Sequence, residues 1–269
     1  MKYKLLAVDL DDTLLNEKFV ISARNRAAIQ KADARGIMVT LATGRMFRSA
    51  LPFARELGID LPLVTYHGAL IKQAGSGNVL QHRAVPLSLA LKILEYSEEQ
   101  KVHVNLYLDD NLYVQEENEN SAYYLRIASI PIQAVGPLPP FLKQHRVEPT
   151  KLTMIDMQAD RLDAVQSELR QLFSPGLSIL QSRPKFLEIT HQEATKGQAL
   201  RFLAEKQGIA RESIVAIGDS YNDVDMLRFA GLGVAVANAP EDVKKAADLV
   251  TRANTDDGVA AFIEEYLLD

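Results

Sequence analysis

An α/β protein built on a doubly wound, mostly parallel sheet is predicted by three observations. Short apolar runs alternate with helical stretches at both ends of the 269-residue chain, an antiparallel pattern interrupts them, and carboxylates cluster where apolar runs stop. The first run, residues 4–8, reads as a buried strand, and Asp9-Leu10-Asp11-Asp12-Thr13 follows it directly. Open parallel sheets bind their ligands outside the carboxyl ends of the strands, so this placement points to chemistry. Three side-chain carboxyls this close repel one another unless a cation, a proton or water offsets them, and a hard divalent ion suits oxygen donors.

Ser22 can cap a helix over residues 23–35, Gly36 can end it, and residues 37–42 read as a second buried strand. A helix over 47–57, closed by Gly58, and a strand over 63–66 continue the alternation, which favours right-handed crossovers. Pro52 leaves the start of that helix poorly defined. Gly75-Ser76-Gly77-Asn78 marks a hairpin within 70–81.

From Arg83 the pattern changes. A helix over 86–100 and a strand over 102–108 lead through the turn Asp109-Asp110-Asn111 into a strand over 112–115. A helix over 121–128, a loop at Gly136-Pro137-Leu138-Pro139-Pro140, a strand over 152–156, a helix over 159–172 and strands over 178–181 and 186–189 follow. The first pattern returns at Thr195 with a helix to Gln207, a strand over 213–217, a helix over 224–230 and a strand over 234–237. The expected organisation is a core of residues 1–82 and 188–269 with an α+β domain, 83–187, inserted. Linkers beside the crevice would let that domain open and close it.

Composition removes several classes of function. A net charge of -5 gives no general attraction for nucleic acid or anionic lipid, and neither is an expected partner. The absence of cysteine excludes disulfides, thiolate catalysis and cysteine-ligated metals, so a metal must be held by oxygen or histidine. No basic segment with an apolar stretch opens the chain and no apolar run reaches the length of a membrane span, so a soluble, cytoplasmic protein is expected.

Three further motifs stand at equivalent places: Ala42-Thr43-Gly44-Arg45, Thr195-Lys196-Gly197, and Gly218-Asp219-Ser220-Tyr221-Asn222-Asp223. With the first they supply what phosphoryl transfer requires: a carboxylate to attack phosphorus, a second to move a proton, a third for an oxygen-rich metal site, and hydroxyl, amide and ammonium groups for the phosphoryl oxygens. Each alone has a plainer reading. Asp9 and Asp11 suit a solvated turn, Thr43 and Gly44 a turn and helix cap, Lys196 a solvated helix residue, and Asp219 and Asp223 helix caps. Arg45 suits either a substrate anion or a neighbouring carboxylate. His67 reads as a polar loop residue, and His103, His145 and His191 lack metal-ligand spacing.

The four motifs in this order resemble those of the haloacid dehalogenase superfamily of phosphatases, and the inserted domain between Thr43 and Lys196 resembles the α/β type-two cap of the Cof-like subfamily. The resemblance spans the whole chain and implies a Rossmann-like core. It implies that Asp9 is the nucleophile, forming an aspartyl phosphate, and that Asp11 protonates the leaving alcohol and then activates water. It also implies Mg2+ held by the Asp9 carboxylate, the Asp11 carbonyl and Asp219, with Asp223 and Asn222 supporting the site. Thr43, Gly44, Arg45, Lys196 and Asn222 would then bind the phosphoryl group of a small phosphorylated metabolite, sugar phosphates first. A phosphomutase and a non-catalytic metabolite sensor are the competing expectations. Many relatives have glycine at the positions of Asp12 and Ser220 and asparagine at that of His67.

Overall fold

The computed structural model describes residues 2–58, 60–128 and 130–268. They form two compact units, His82–Ala194 and the remainder. The core begins with β1 (Leu5–Val8), α1 (Ala23–Ala34), β2 (Met38–Leu41), α2 (Phe47–Leu57), β3 (Pro62–Thr65), β4 (Leu70–Gln73) and β5 (Val79–His82). The four residues of β1 are all buried, as a central strand covered on both faces requires. Ser22 caps α1 by accepting from the Asn25 amide, and α2 starts at Phe47, runs through Pro52 and ends at Gly58, whose φ of 76° is left-handed.

The second unit comprises α3 (Leu87–Gln100), β6 (His103–Leu108), β7 (Asn111–Val114), α4 (Glu119–Ala128), β8 (Ile132–Ala134), α5 (Leu138–His145), β9 (Lys151–Ile155), α6 (Ala159–Phe173), β10 (Leu177–Arg183) and β11 (Phe186–His191). Its sheet has the order β10-β11-β9-β6-β7-β8, antiparallel except between β7 and β8. Val104, Leu106, Leu152, Met154, Leu187 and Ile189 form one apolar face and join Ile93 and Leu94 of α3, Leu142 of α5 and Leu162 and Leu169 of α6 in a single core. The other face is polar. There Tyr107 pairs with Lys151 and Thr153 lies between Asn105 and Glu188, while the Lys151 ammonium meets the Glu188 carboxylate at 2.5 Å.

Two expectations are corrected here. A boundary at 187/188 would cut β11, which pairs with both β9 and β10, so the inserted unit continues to Ala194. Its ends are tied by Arg83, whose guanidinium meets the Glu193 carboxylate at 3.0 Å and the Glu193 carbonyl at 2.7 Å. The proline-rich stretch is not all loop: α5 starts at Leu138 and holds Pro139 and Pro140 in its first turn, where a missing N–H costs no helical bond.

The core resumes with α7 (Lys196–Lys206), β12 (Ile214–Gly218), α8 (Val224–Phe229), β13 (Leu232–Ala235), α9 (Glu241–Ala246), β14 (Leu249–Val250) and α10 (Gly258–Phe262). The parallel sheet has the order β14-β13-β12-β1-β2. A parallel bridge from Ala42 to Val64 leads from β2 to a sheet of order β3-β4-β5, in which β3 and β4 run antiparallel. The chain winds from β1 towards β2 on one side and from β12 towards β14 on the other, so the switch point lies between β1 and β12. Asp9 follows β1, Thr43 lies two residues beyond β2, and Asp219 follows β12.

Leu6 is fully buried in the central strand. Leu6→Ala is expected to lower core stability by about 2–5 kcal/mol through lost burial and a residual cavity. Denaturant unfolding of parent and variant measures this, and a loss below about 0.5 kcal/mol would contradict the assigned burial.

Candidate active site

The turn after β1 positions two carboxylates differently. Asp9 remains extended, its amide donating to the Ile217 carbonyl at 3.0 Å, and the chain then enters a wide turn over Leu10–Leu14. Within it Asp12 is left-handed, with φ of 57°. A short polar side chain tolerates this conformation, which explains how aspartate can stand where relatives use glycine. Ser220 has φ of -125° and needs no glycine.

Lys196 follows Thr195, whose hydroxyl caps α7 by accepting from the Gln198 amide at 3.2 Å. The Lys196 side chain is 1% exposed, and its ammonium lies 2.7 Å from Asp9 Oδ1 and 2.6 Å from Asp223 Oδ1. Asp223 Oδ2 also accepts from the amides of Asp219 and Ser220 at 3.1 and 2.9 Å, closing the turn after β12. This turn requires Gly218, because a Cβ there would lie 2.6 Å from the Asp223 Cβ. Asp219 Oδ1 accepts from the Thr13 hydroxyl at 2.7 Å, linking the first motif to the last.

Two carboxylates therefore share one ammonium with a third carboxylate beside them, leaving excess negative charge when all are ionised. Burial pushes the Asp9 carboxyl well above the usual carboxylate range; Lys196 opposes this, and Asp223 and Asp219 reinforce it. Burial, helped by Asp223, raises Asp219 to about 6. Burial disfavours charge on Lys196, but Asp223 and Asp9 outweigh it and hold the ammonium protonated. Oxygen atoms of Asp9, Asp219 and Asp223 lie within 4.8 Å of one another. A second, oxygen-seeking cation fits this donor set. Asp223 already accepts from Lys196 and two amides, so Asp9 and Asp219 are the better placed direct ligands.

Asp11 points both carboxylate oxygens at Arg45, with Nε to Oδ2 at 2.8 Å and Nη2 to Oδ1 at 2.7 Å. Of the two readings open for Arg45, carboxylate pairing is the contact formed here. Thr43 is buried; its hydroxyl accepts from the Arg45 amide at 3.1 Å and its carbonyl from the His67 amide at 3.0 Å. Gly44 lies beneath the His67 ring, since a Cβ at 44 would be 2.3 Å from His67 Cε1. Asn222 bridges two loops, accepting from the Ser220 hydroxyl at 3.0 Å while its Nδ2 faces His67 Nδ1 at 3.2 Å.

Supporting residues that the sequence reading missed complete the turn. Asn25 Nδ2 donates to the Leu14 carbonyl, Asn254 Nδ2 to that of Leu15, and Asn238 Nδ2 to that of Asp12, while Asn25 Oδ1 accepts from the Ala260 amide. Isolated asparagines carry no motif. Thr13 lay inside the first motif, but nothing in the pattern assigned its hydroxyl to Asp219.

Comparison with known proteins shows the family of this chain. The model of the haloacid dehalogenase-like hydrolase family matches residues 6–263. The 5-amino-6-(5-phospho-D-ribitylamino)uracil phosphatase YwtE of Bacillus subtilis is 31% identical over 286 residues, covering 98% of each chain. The crystal structure of TM0651 from Thermotoga maritima has a TM-score of 0.88 at 35% identity, covering 97% of each chain. A sugar phosphatase of haloacid dehalogenase subclass IIB has a TM-score of 0.84 at 26% identity, covering 99% of this chain and all of the other. The chain belongs to the haloacid dehalogenase-like hydrolases, in their Cof-like branch, and is an enzyme with that family's core and cap. Among the described residues no helix is long and apolar enough to cross a membrane.

Asp219 predicts a pH dependence. Its folded-state pKa of about 6 exceeds the ordinary 3.8, so the folded chain binds this proton more tightly than the unfolded chain. The associated stability is complete below 3.8 and is lost as pH rises through about 6. Chelated protein is expected to lose thermal stability over that window, and Mg2+ to raise Tm more at about pH 7 than at about pH 5. Thermal melts of parent and Asp219→Asn check this; equal Mg2+ shifts at both pH values in the parent would contradict it.

Proposed function

We propose that this hydrolase is a magnesium-dependent phosphatase of small phosphomonoesters, sugar phosphates first, acting through phospho-Asp9. The observation that carries the reading is the buried Lys196 ammonium between Asp9 and Asp223, with Asp219 beside them at the sheet's switch point. A carboxylate that must meet a phosphate dianion needs such compensation. The phosphatase names of the relatives support the same chemistry.

In the first step an Asp9 oxygen bonds to phosphorus as the bond to the leaving oxygen breaks, and Asp11 gives that oxygen its proton. Lys196 holds a phosphoryl oxygen and offsets its charge, while the Thr43 hydroxyl and Gly44 amide bind the others. In the second step Asp11 takes a proton from water as the water oxygen attacks phosphorus; the Asp9 carboxylate departs and inorganic phosphate is released. Mg2+, held by Asp9, Asp219 and the Asp11 carbonyl with Asp223 and Asn222 in support, would supply positive charge at the phosphoryl oxygens. A cytoplasmic setting, where phosphorylated metabolites and magnesium are at hand, belongs to this reading.

Phosphate release from a panel of sugar phosphates, nucleotides and an aryl phosphate tests the reading. Release is expected to require Mg2+ and to fall by roughly 10³-fold or more in Asp9→Asn. Undiminished turnover in that variant would remove Asp9 as nucleophile, and an isomerised sugar phosphate in place of free phosphate would identify a mutase.

A further inference from the structure

The core holds both the backbone and the side chain of Arg45. Its amide donates to Thr43 Oγ1 at 3.1 Å and its carbonyl accepts from the Tyr66 amide at 2.9 Å. Its guanidinium lies over the Phe53 ring, 5.2 Å from the centroid, and Nη1 donates to Ser49 Oγ at 3.3 Å. Phe53 and Ser49 are on α2, so the helix that opens two residues after Arg45 folds back to hold its side chain. From this seat the planar fork grips both oxygens of Asp11.

Two parallel bonds define the plane of a carboxylate as well as its position, which one ammonium cannot do. Each Asp11 oxygen offers two lone pairs, so one on each remains after Arg45 has donated. The pair is also open enough to meet a substrate, with 18% of the Arg45 side chain and 28% of the Asp11 side chain exposed. A group that moves protons is commonly oriented by a third group, and here that group is a guanidinium seated on a helix.

We propose that Arg45 is the positioning residue for Asp11, aiming the carboxyl that protonates the leaving alcohol; this rests on the phosphatase reading above. The consequence is selective. An alkyl phosphate must receive a proton as its oxygen leaves, whereas an aryl phosphate expels a phenolate without one. Loss of Arg45 therefore slows phosphoryl transfer from alkyl esters far more than from aryl esters. Both esters share the same phosphoryl group, so a residue that merely bound phosphate, or merely stabilised the fold, would affect them alike.

The test compares kcat/KM for p-nitrophenyl phosphate and for a sugar phosphate hydrolysed by the parent, in Arg45→Gln, Arg45→Lys, Asp11→Asn and the Asp11→Asn/Arg45→Gln double variant. Arg45→Gln is expected to lower kcat/KM about 10²-fold for the sugar phosphate and less than about threefold for the aryl ester. Its aryl reaction is expected to begin with a burst of phenolate, because Asp11 must still activate water in the second step. In the Asp11→Asn background the Arg45 change is expected to add less than about twofold. Arg45→Lys, which keeps the charge and loses the fork, is expected to show the same selectivity more weakly, and it serves alone where Arg45→Gln fails to fold. Equal losses on both esters, an additive double variant, or weakened competition by inorganic phosphate would overturn the proposal while leaving the phosphatase reading intact. A parent that releases phosphate from no member of the panel of sugar phosphates, nucleotides and aryl phosphate would overturn both.

Discussion

One buried ammonium shared by two carboxylates organises the corner of this core where the strand ends meet. Lys196, Asp9 and Asp223 are nearly inaccessible, and ions removed from water are tolerated only when paired and hydrogen-bonded. Removing the ammonium would leave three carboxylates facing one another, and removing a carboxylate would strand a buried cation. The pairing therefore fixes the relative positions of the turns after β1 and β12 and the start of α7, which lie far apart in the chain. Burial, reinforced by the neighbouring carboxylates, raises Asp9 and Asp219, and the same acidic cluster could hold a divalent cation.

Local backbone devices keep this arrangement in place. Tyr66 and His67 are consecutive left-handed residues, and Gly68, with φ of 105°, passes so close to Thr195 that a Cβ would lie 2.2 Å from its carbonyl oxygen. Such strain persists only where the surroundings over-determine it, and it clusters at functional sites. Here it brings the His67 loop onto Gly44, beside Asn222, and against the start of α7. Three asparagines then hold the carbonyls of the turn that carries Asp11, so this carboxylate stands on a braced turn and is gripped by Arg45.

The inserted unit answers a different requirement. Its sheet buries an aliphatic face under helices and gives its other face to Asn105, Tyr107, Lys151, Thr153 and Glu188. None of these groups belongs to the cluster of Asp9, Lys196, Asp219 and Asp223. A unit that folds around its own core can vary such residues without disturbing the charge balance on Lys196, which agrees with a family whose members named above act on different phosphorylated compounds.

The alternation of apolar runs and helices determined the α/β class and the order of the core elements, because strands buried on both faces must be apolar and their helices need caps such as Ser22 and Thr195. It also determined which groups stand at strand ends: Asp9, Thr43 and Asp219 follow their strands through simple chain continuity. Tertiary structure alone decided their partners. Lys196 lies between Asp9 and Asp223, Arg45 grips Asp11, Thr13 reaches Asp219, and Asn254 braces Leu15, contacts between residues up to 239 positions apart that no local period encodes. The end of the cap was likewise decided by strand pairing, since β11 belongs with β9 and β10 whatever follows it in sequence. Local pattern records what a residue buries, whereas a site depends on which distant groups must share charge once water has been excluded.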